Sequence, residues 1–254
     1  MSNRDQWYNK AKQQGYRSRS AYKLQQLDDL ETVLPEGGTV VDLGAAPGGW
    51  LQVAAERVGP GGTVLGVDLQ RIKDIETETT VETIRGDITD EETHEAIRGR
   101  VGEVDTVLSD MAPNMTGEYN LDHARSVYLA GQAAAVAREV LKPGGNLVVK
   151  VFEGPDLAEF RSGLEGEYEF VRTTSPEASR KESSEVYLIA KGLLTAPVGV
   201  GEQLTVEVES VGSEGDGVAQ VEGFTVFVPG AERGETVEVR IEDVKQRFAF
   251  AERL

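Results

Sequence analysis

From Thr39 to Lys191 short β-rich runs alternate with helical stretches, and this alternation restricts the fold more than any other feature of the chain. Strands joined by helices are laid side by side in parallel, in a sheet whose two faces are both covered, so a doubly wound α/β domain is expected. Thr39–Leu43, Thr63–Asp68, 104–110 and 146–151 read as its strands. An alanine-rich helix over 124–141 separates the last two. Pro143 cannot continue that helix and Gly144 tolerates a left-handed cap, so it is expected to stop there. After Lys191 the pattern changes. Residues 192–197 read as a linker, and beyond them 203–209, Gly217–Val221, Phe224–Val228 and 236–241 alternate as strands between Gly and Pro turns, the pattern of a small closed barrel. Two domains are expected, 1–194 and 195–254.

The first strand runs into Asp42-Leu43-Gly44-Ala45-Ala46-Pro47-Gly48-Gly49-Trp50, a glycine-rich turn ahead of a helix, where backbone can pass close to a ligand with no Cβ in the way. Asp68 ends the next strand, where a carboxylate can accept from both hydroxyls of a ribose. Asp87, after Gly86, follows the third strand and suits an adenine amino group. The turn lacks the Gly-x-Gly-x-x-Gly of a dinucleotide fold and the Gly-Lys-Ser/Thr ending of a Walker loop, which disfavours a nicotinamide oxidoreductase.

The chain has no cysteine and two histidines, His94 and His123, so thiolate chemistry is excluded and little is offered to a metal; both histidines read as surface residues. No apolar run approaches the ~20 residues of a membrane span, and no apolar stretch backs the N-terminal charges, so a cytoplasmic protein is expected. The formal charge of −18 opposes nucleic-acid binding on its face. Its distribution does not: residues 1–27 hold Arg4, Lys10, Lys12, Arg17, Arg19 and Lys23 against the single acid Asp5, a basic arm on an acidic body. We read the acidity as adaptation to molar salt, where repulsion is screened within roughly 3 Å.

Three motifs become specific together: 42–50 above, Ser109-Asp110-Met111-Ala112-Pro113-Asn114, and Val149-Lys150-Val151-Phe152. With Arg17-Ser18-Arg19-Ser20-Ala21-Tyr22-Lys23-Leu24 and Ser184-Glu185-Val186-Tyr187, they resemble the RrmJ/FtsJ family of RNA 2'-O-methyltransferases over roughly residues 4–191. The resemblance implies a Rossmann-like methyltransferase domain. It also implies a Lys-Asp-Lys-Glu tetrad at Lys23, Asp110, Lys150 and Glu185. S-adenosylmethionine would be held by Gly48, Trp50, Asp68, Asp87 and Asp110, with Gly44 in the turn and no metal. The implied substrate is a uridine of large-subunit ribosomal RNA in a nearly mature particle, though the family also holds transfer-RNA and cap enzymes. A monomer is expected.

The chemistry suits these residue types. A ribose hydroxyl is a poor nucleophile near neutral pH, so alignment and help with one proton are what an enzyme must add. Lys150 is the candidate for that proton. It would act as a base if burial or Lys23 depressed it from ~10.4, or would stabilise developing alkoxide if it stayed charged. Asp110 would orient Lys150, and Glu185 the lysines or the ribose. The 109–114 segment lacks the second Pro and the aromatic usual in amino-methylating sites, which favours a hydroxyl acceptor. Only RNA offers a 2'-hydroxyl.

Residues 198–254, with 212–219 and 226–231, resemble a TRAM domain, a small OB-like barrel found on RNA-modifying enzymes. Twelve acids against five bases in this tail, Glu214 among the acids, depart from what an RNA-binding surface wants. Phe224, Phe227, Phe248 and Phe250 offer stacking on bases, but at alternating strand positions they read first as core.

Overall fold

The computed structural model describes residues 6–180, 183–213 and 215–254; Arg4 and Asp5 of the basic arm and Glu214 of the tail lie outside the described residues. The described chain forms two compact units. One comprises residues up to Glu165 with Phe170–Lys191, the other Gly166–Glu169 with Gly192–Leu254.

Among the described residues the first unit is built on a seven-stranded sheet of order β3-β2-β1-β4-β5-β7-β6. The strands are β1 Thr39–Leu43, β2 Thr63–Asp68, β3 Thr80–Arg85, β4 Val104–Ser109, β5 Leu141–Phe152, β6 Tyr168–Thr174 and β7 Glu185–Leu193. β1 pairs in parallel with β2 and β4, β2 with β3, and β4 with β5, whereas β5 and β7 run antiparallel. The central strands are apolar on both faces because helices cover both, and Val40, Val41, Leu43, Val64, Leu65, Val107, Leu108, Leu147 and Val148 are fully buried. β3, at the edge, carries the charges Glu82 and Arg85, which discourage further strand pairing. The chain leaves β1 toward β2 and β3 and returns on its other side as β4. The switch point of the sheet therefore lies between the carboxyl ends of β1 and β4, where open α/β sheets bind ligands.

Among the described residues six helices accompany the sheet: α1 Gln6–Gln14, α2 Ala21–Glu31, α3 Gly49–Val58, α4 Glu91–Val101, α5 Tyr119–Val140 and α6 Leu157–Glu165. Among its described residues the basic arm thus holds α1 and the first part of α2. Its cations are largely engaged: Lys10 lies over the rings of Trp7 and Tyr22, 5.2 and 4.6 Å from their centroids, and Arg19 donates to Ala178 O. Arg17 donates to Pro47 O at 3.2 Å, to Lys73 O at 2.6 Å and to Asp74 O. Counting charges in a segment overlooks that a guanidinium satisfies several carbonyls when a fold wraps around it.

Both histidines correct the surface reading. His94 and His123 are 8% and 1% exposed. Each has hydrogen-bond partners that a sequence window does not contain: Glu139 and Ile88 O for His94, Phe152 O and the Asp156 amide for His123.

Among its described residues the second unit is a closed barrel of order β10-β12-β11-β8-β9, with β9 paired back to β10. Its strands are β8 Gln203–Val211, β9 Gly217–Val221, β10 Phe224–Val228, β11 Thr236–Val244 and β12 Phe248–Arg253. Val206, Val208, Ala219, Val226, Val228, Val237, Val239, Ile241, Ala249 and Ala251 fill the interior. Because side chains alternate along a strand, burying Val226, Val228, Ala249 and Ala251 turns Phe227, Phe248 and Phe250 outward. This corrects their reading as core: the three rings cluster on the outer surface with centroids 5.4–5.7 Å apart, and only Phe224 packs on the core.

Candidate active site

Gly44 leaves β1 with φ +78°, and a Cβ there would run into the side chain of Met111; Gly48 follows at φ +108°. These conformations are open to glycine at little cost, and they let the turn pass under the loop that follows β4. Asp68 secures the turn from the neighbouring strand: its Oδ2 accepts from the Ala46 amide at 2.9 Å and its Oδ1 from Gln70 at 2.8 Å. Asp87 accepts from the amide and hydroxyl of Thr89 at 2.9 and 2.8 Å, and these bonds hold its carboxyl below the usual carboxylate range.

A cavity of about 550 Å³ opens over this turn, its lining including Gly44, Asp68, Asp87, Asp110, Met111 and Leu129. A second, of about 590 Å³, is lined among others by Arg19, Lys23, Met115, Lys150, Phe152 and Glu185. Ala112 lines both. Four of the six residues expected to hold a cofactor, Gly44, Asp68, Asp87 and Asp110, therefore face one cavity. Gly48 and Trp50 are not in its lining. The Trp50 indole is buried, donates to Ser20 O at 2.8 Å and stacks at 6.0 Å against Tyr187, so its ring serves the packing of α2 and β7.

The other expected residues meet where the cavities adjoin. Lys150 Nζ donates to Asp110 O at 2.5 Å and to Asp110 Oδ1 at 2.9 Å. Lys23 Nζ lies 2.5 Å from Glu185 Oε1 and 3.9 Å from Asp110 Oδ1. Both lysines are buried, at 7–8% exposure, and buried charges persist only when paired. Burial pushes the Asp110 carboxyl up. Lys150, Lys23 and the hydroxyl of Tyr187 outweigh that and hold it below the ordinary range.

Tyr187 was not singled out from the sequence. The signal was present: Glu185 and Tyr187 are two residues apart on one strand and so share a face. They pair with Phe152 and Lys150 respectively. Asp42 is a second omission. Its carboxyl is fully buried beneath the turn, neither oxygen has a hydrogen-bond partner, and burial, then Asp110 and Asp68, push it well above the usual range.

Comparison with known proteins gives the following. The profile of FtsJ-like methyltransferases matches residues 16–193, and that of the TRAM domain residues 197–254. The chain is 61% identical over 254 residues to a Ribosomal RNA large subunit methyltransferase E of Natronomonas pharaonis, covering 100% of both. It is 61% identical over 256 residues to the protein of that name from Halorubrum lacusprofundi, covering 100% of this chain and 95% of the relative. A crystal structure of a putative ribosomal RNA methyltransferase from Plasmodium falciparum matches with a TM-score of 0.63 at 28% identity, over 70% of this chain and 98% of that one.

Proposed function

The chain belongs to the FtsJ-like methyltransferase family, and we propose that it methylates a ribose 2'-hydroxyl of large-subunit ribosomal RNA, a uridine, with S-adenosylmethionine as donor. The observation that carries this reading is the Lys23, Asp110, Lys150 and Glu185 cluster, buried at the meeting of two cavities of which one suits a cofactor and the other an acceptor.

The residues present fit that cofactor. Its charges include a sulfonium and an ammonium, and the cavity over the turn is lined by the carboxylates of Asp68, Asp87 and Asp110. Asp68 and Asp87 would hold its ribose and adenine, and Gly44, Met111 and Leu129 its flanks. When bound, it supplies a methyl group already activated by the sulfonium charge.

The chain's own residues then have to bring the hydroxyl into line and deal with its proton. Two of the three hydrogens on Lys150 Nζ are taken by Asp110, which fixes the direction of the third. Lys150 is accordingly the group nearest in role to the acceptor oxygen: as the ammonium its third hydrogen stabilises the charge that develops there, and as the free amine, with both hydrogens on Asp110, its lone pair takes up the proton. Lys23 is steered by Glu185 and Tyr187, and Arg19 adds positive charge to the acceptor cavity. On the barrel, the outward rings of Phe227, Phe248 and Phe250 give a surface on which RNA bases can stack.

The test is transfer of labelled methyl from S-adenosylmethionine to unmodified large ribosomal subunits at molar salt, wild type beside Lys150→Ala, with mapping of the modified nucleotide. Ribose methylation that falls by about a thousandfold in the variant is expected, the loss of a charge-stabilising group. Methylation of a base nitrogen, or equal transfer by both proteins, would refute the proposal.

A further inference from the structure

Three polar residues of α5, Asp122, His123 and Ser126, are 1–3% exposed on an inner face whose other buried members are mostly alanine and valine. Each side chain is spent on a backbone group outside the helix. Asp122 Oδ1 accepts from the amide and hydroxyl of Thr116, both at 2.8 Å, and its Oδ2 from the Gly117 amide at 3.0 Å. His123 Nδ1 donates to Phe152 O at 2.9 Å, and its Nε2 accepts from the Asp156 amide at 3.1 Å. An amide can only donate and a carbonyl only accept, so this pair of bonds favours the tautomer with the proton on Nδ1, while Asp156 Oδ2 lies 3.3 Å from Nε2. Ser126 Oγ accepts from the Phe152 amide at 3.0 Å and donates to His123 O at 2.7 Å.

The topology supplies the reason. The pairing of β4 with β5 ends at Ser109 and Val149, because the chain turns away there to form the Asp110 loop, but β5 continues to Phe152. On the other edge, β7 still pairs with Phe152. The N–H and C=O that Phe152 presents toward the departed β4 would be orphaned, at a cost of about 1–3 kcal/mol each. Ser126 and His123 stand in for the missing strand. The end of β5 held in this way carries Lys150 and Phe152, two residues apart and on one face, and both line the acceptor cavity. The loop held by Asp122 carries Met115, on the cavity's other wall.

We infer that Asp122, His123 and Ser126 are positioning residues that hold the two walls of the acceptor cavity, His123 being the one that fixes the end of β5 from which Lys150 projects. This rests on the reading of that cavity as the RNA site. Gly154 belongs to the same device: a Cβ there would strike the His123 ring, so the loop closes over the imidazole only with glycine.

The experiment compares wild type with His123→Ala, His123→Asn, His123→Gln and Ser126→Ala, measuring kcat and KM for RNA, the Kd of S-adenosylmethionine, and amide hydrogen exchange over residues 150–156. Asparagine keeps a donor near the place of Nδ1, whereas glutamine places its amide near Nε2. A tenfold or greater loss of kcat/KM for RNA is expected in the alanine variant at unchanged cofactor affinity. Exchange at Phe152 and Asp156 is expected to quicken, with partial rescue by asparagine and little by glutamine. If His123→Ala does not fold, Ser126→Ala and His123→Asn carry the same comparison, with a smaller loss. Unchanged RNA kinetics in folded variants, or an equal loss of cofactor affinity, would overturn the inference. Absence of ribose methylation by the wild type would instead remove the proposed function, and the exchange data would then decide the positioning role alone.

Discussion

The hydroxyl of Tyr187 donates to Asp110 Oδ1 at 2.6 Å while accepting from Lys23 Nζ at 3.0 Å, so one fully buried phenol bridges the two sides of the ionic cluster. Burial, then Asp110 and Glu185, push this phenol far above its usual value, so it is the donor to Asp110 across the working range of pH.

Tyr187→Phe removes that donor. Asp110, held low in part by it, is expected to rise, moving the acid limb of the pH–rate profile to higher pH. The sign follows from the charged carboxylate losing a hydrogen bond. A drop of about tenfold in kcat should accompany it, and a pH–rate profile of both proteins checks each part.

Asp42 gives the opposite sign in stability. Its folded-state value is raised, so the folded chain binds the proton more tightly than the unfolded one. Its contribution is complete below the unfolded value of about 3.9 and declines as pH rises from there toward the raised folded value. Asp42→Asn, which has no proton to lose, should therefore gain on the wild type in Tm as pH is raised from about 4 to 7. The two should converge in acid, as thermal melts without cofactor would record.

Arg17 ties the glycine-rich turn, through Pro47 O, to the backbone of Lys73 and Asp74. Arg17→Ala is expected to raise the KM for S-adenosylmethionine about tenfold. Arg17→Lys should not restore it, because a single ammonium lacks the planar fork that reaches three carbonyls. Steady-state kinetics with the cofactor varied would decide.

On the barrel, Val239→Ala opens a cavity in a full interior and should cost roughly 2 kcal/mol, while Phe250→Ala, at 40% exposure, should cost under about 1 kcal/mol. Phe250→Ala should nonetheless weaken RNA binding by fivefold or more, at the lower end of ~1–3 kcal/mol for a stacked base. Denaturation and RNA titration of both variants separate the two effects.

Strands β1, β2, β4 and β5 were legible because each holds a short apolar run bounded by turn residues, and the glycine-rich turn because its chemistry is local; β6 and β7 were not set apart, and β3, an edge strand that carries charges, was placed only by the Gly86-Asp87 that follows it. The barrel was readable in four strands. The fifth, Phe248–Arg253, was not set apart, since its alternation of Phe and Ala looks alike from either face until closure decides which points inward.

The sequence by itself determined the family and the alternation that builds the sheet, because residue type and chain order suffice for these, and the resemblance implied the Lys23, Asp110, Lys150 and Glu185 set. Tertiary structure alone decided that Arg17 and Arg19 of the arm are engaged, that Tyr187 bridges Lys23 and Asp110, that His123 and Ser126 replace a strand, and that three phenylalanines face outward. Each of these depends on where a hydrogen-bonding group or an apolar face finds its partner across long stretches of chain. Burial and partnership fix the role of a polar side chain, and neither is written in its neighbours along the sequence.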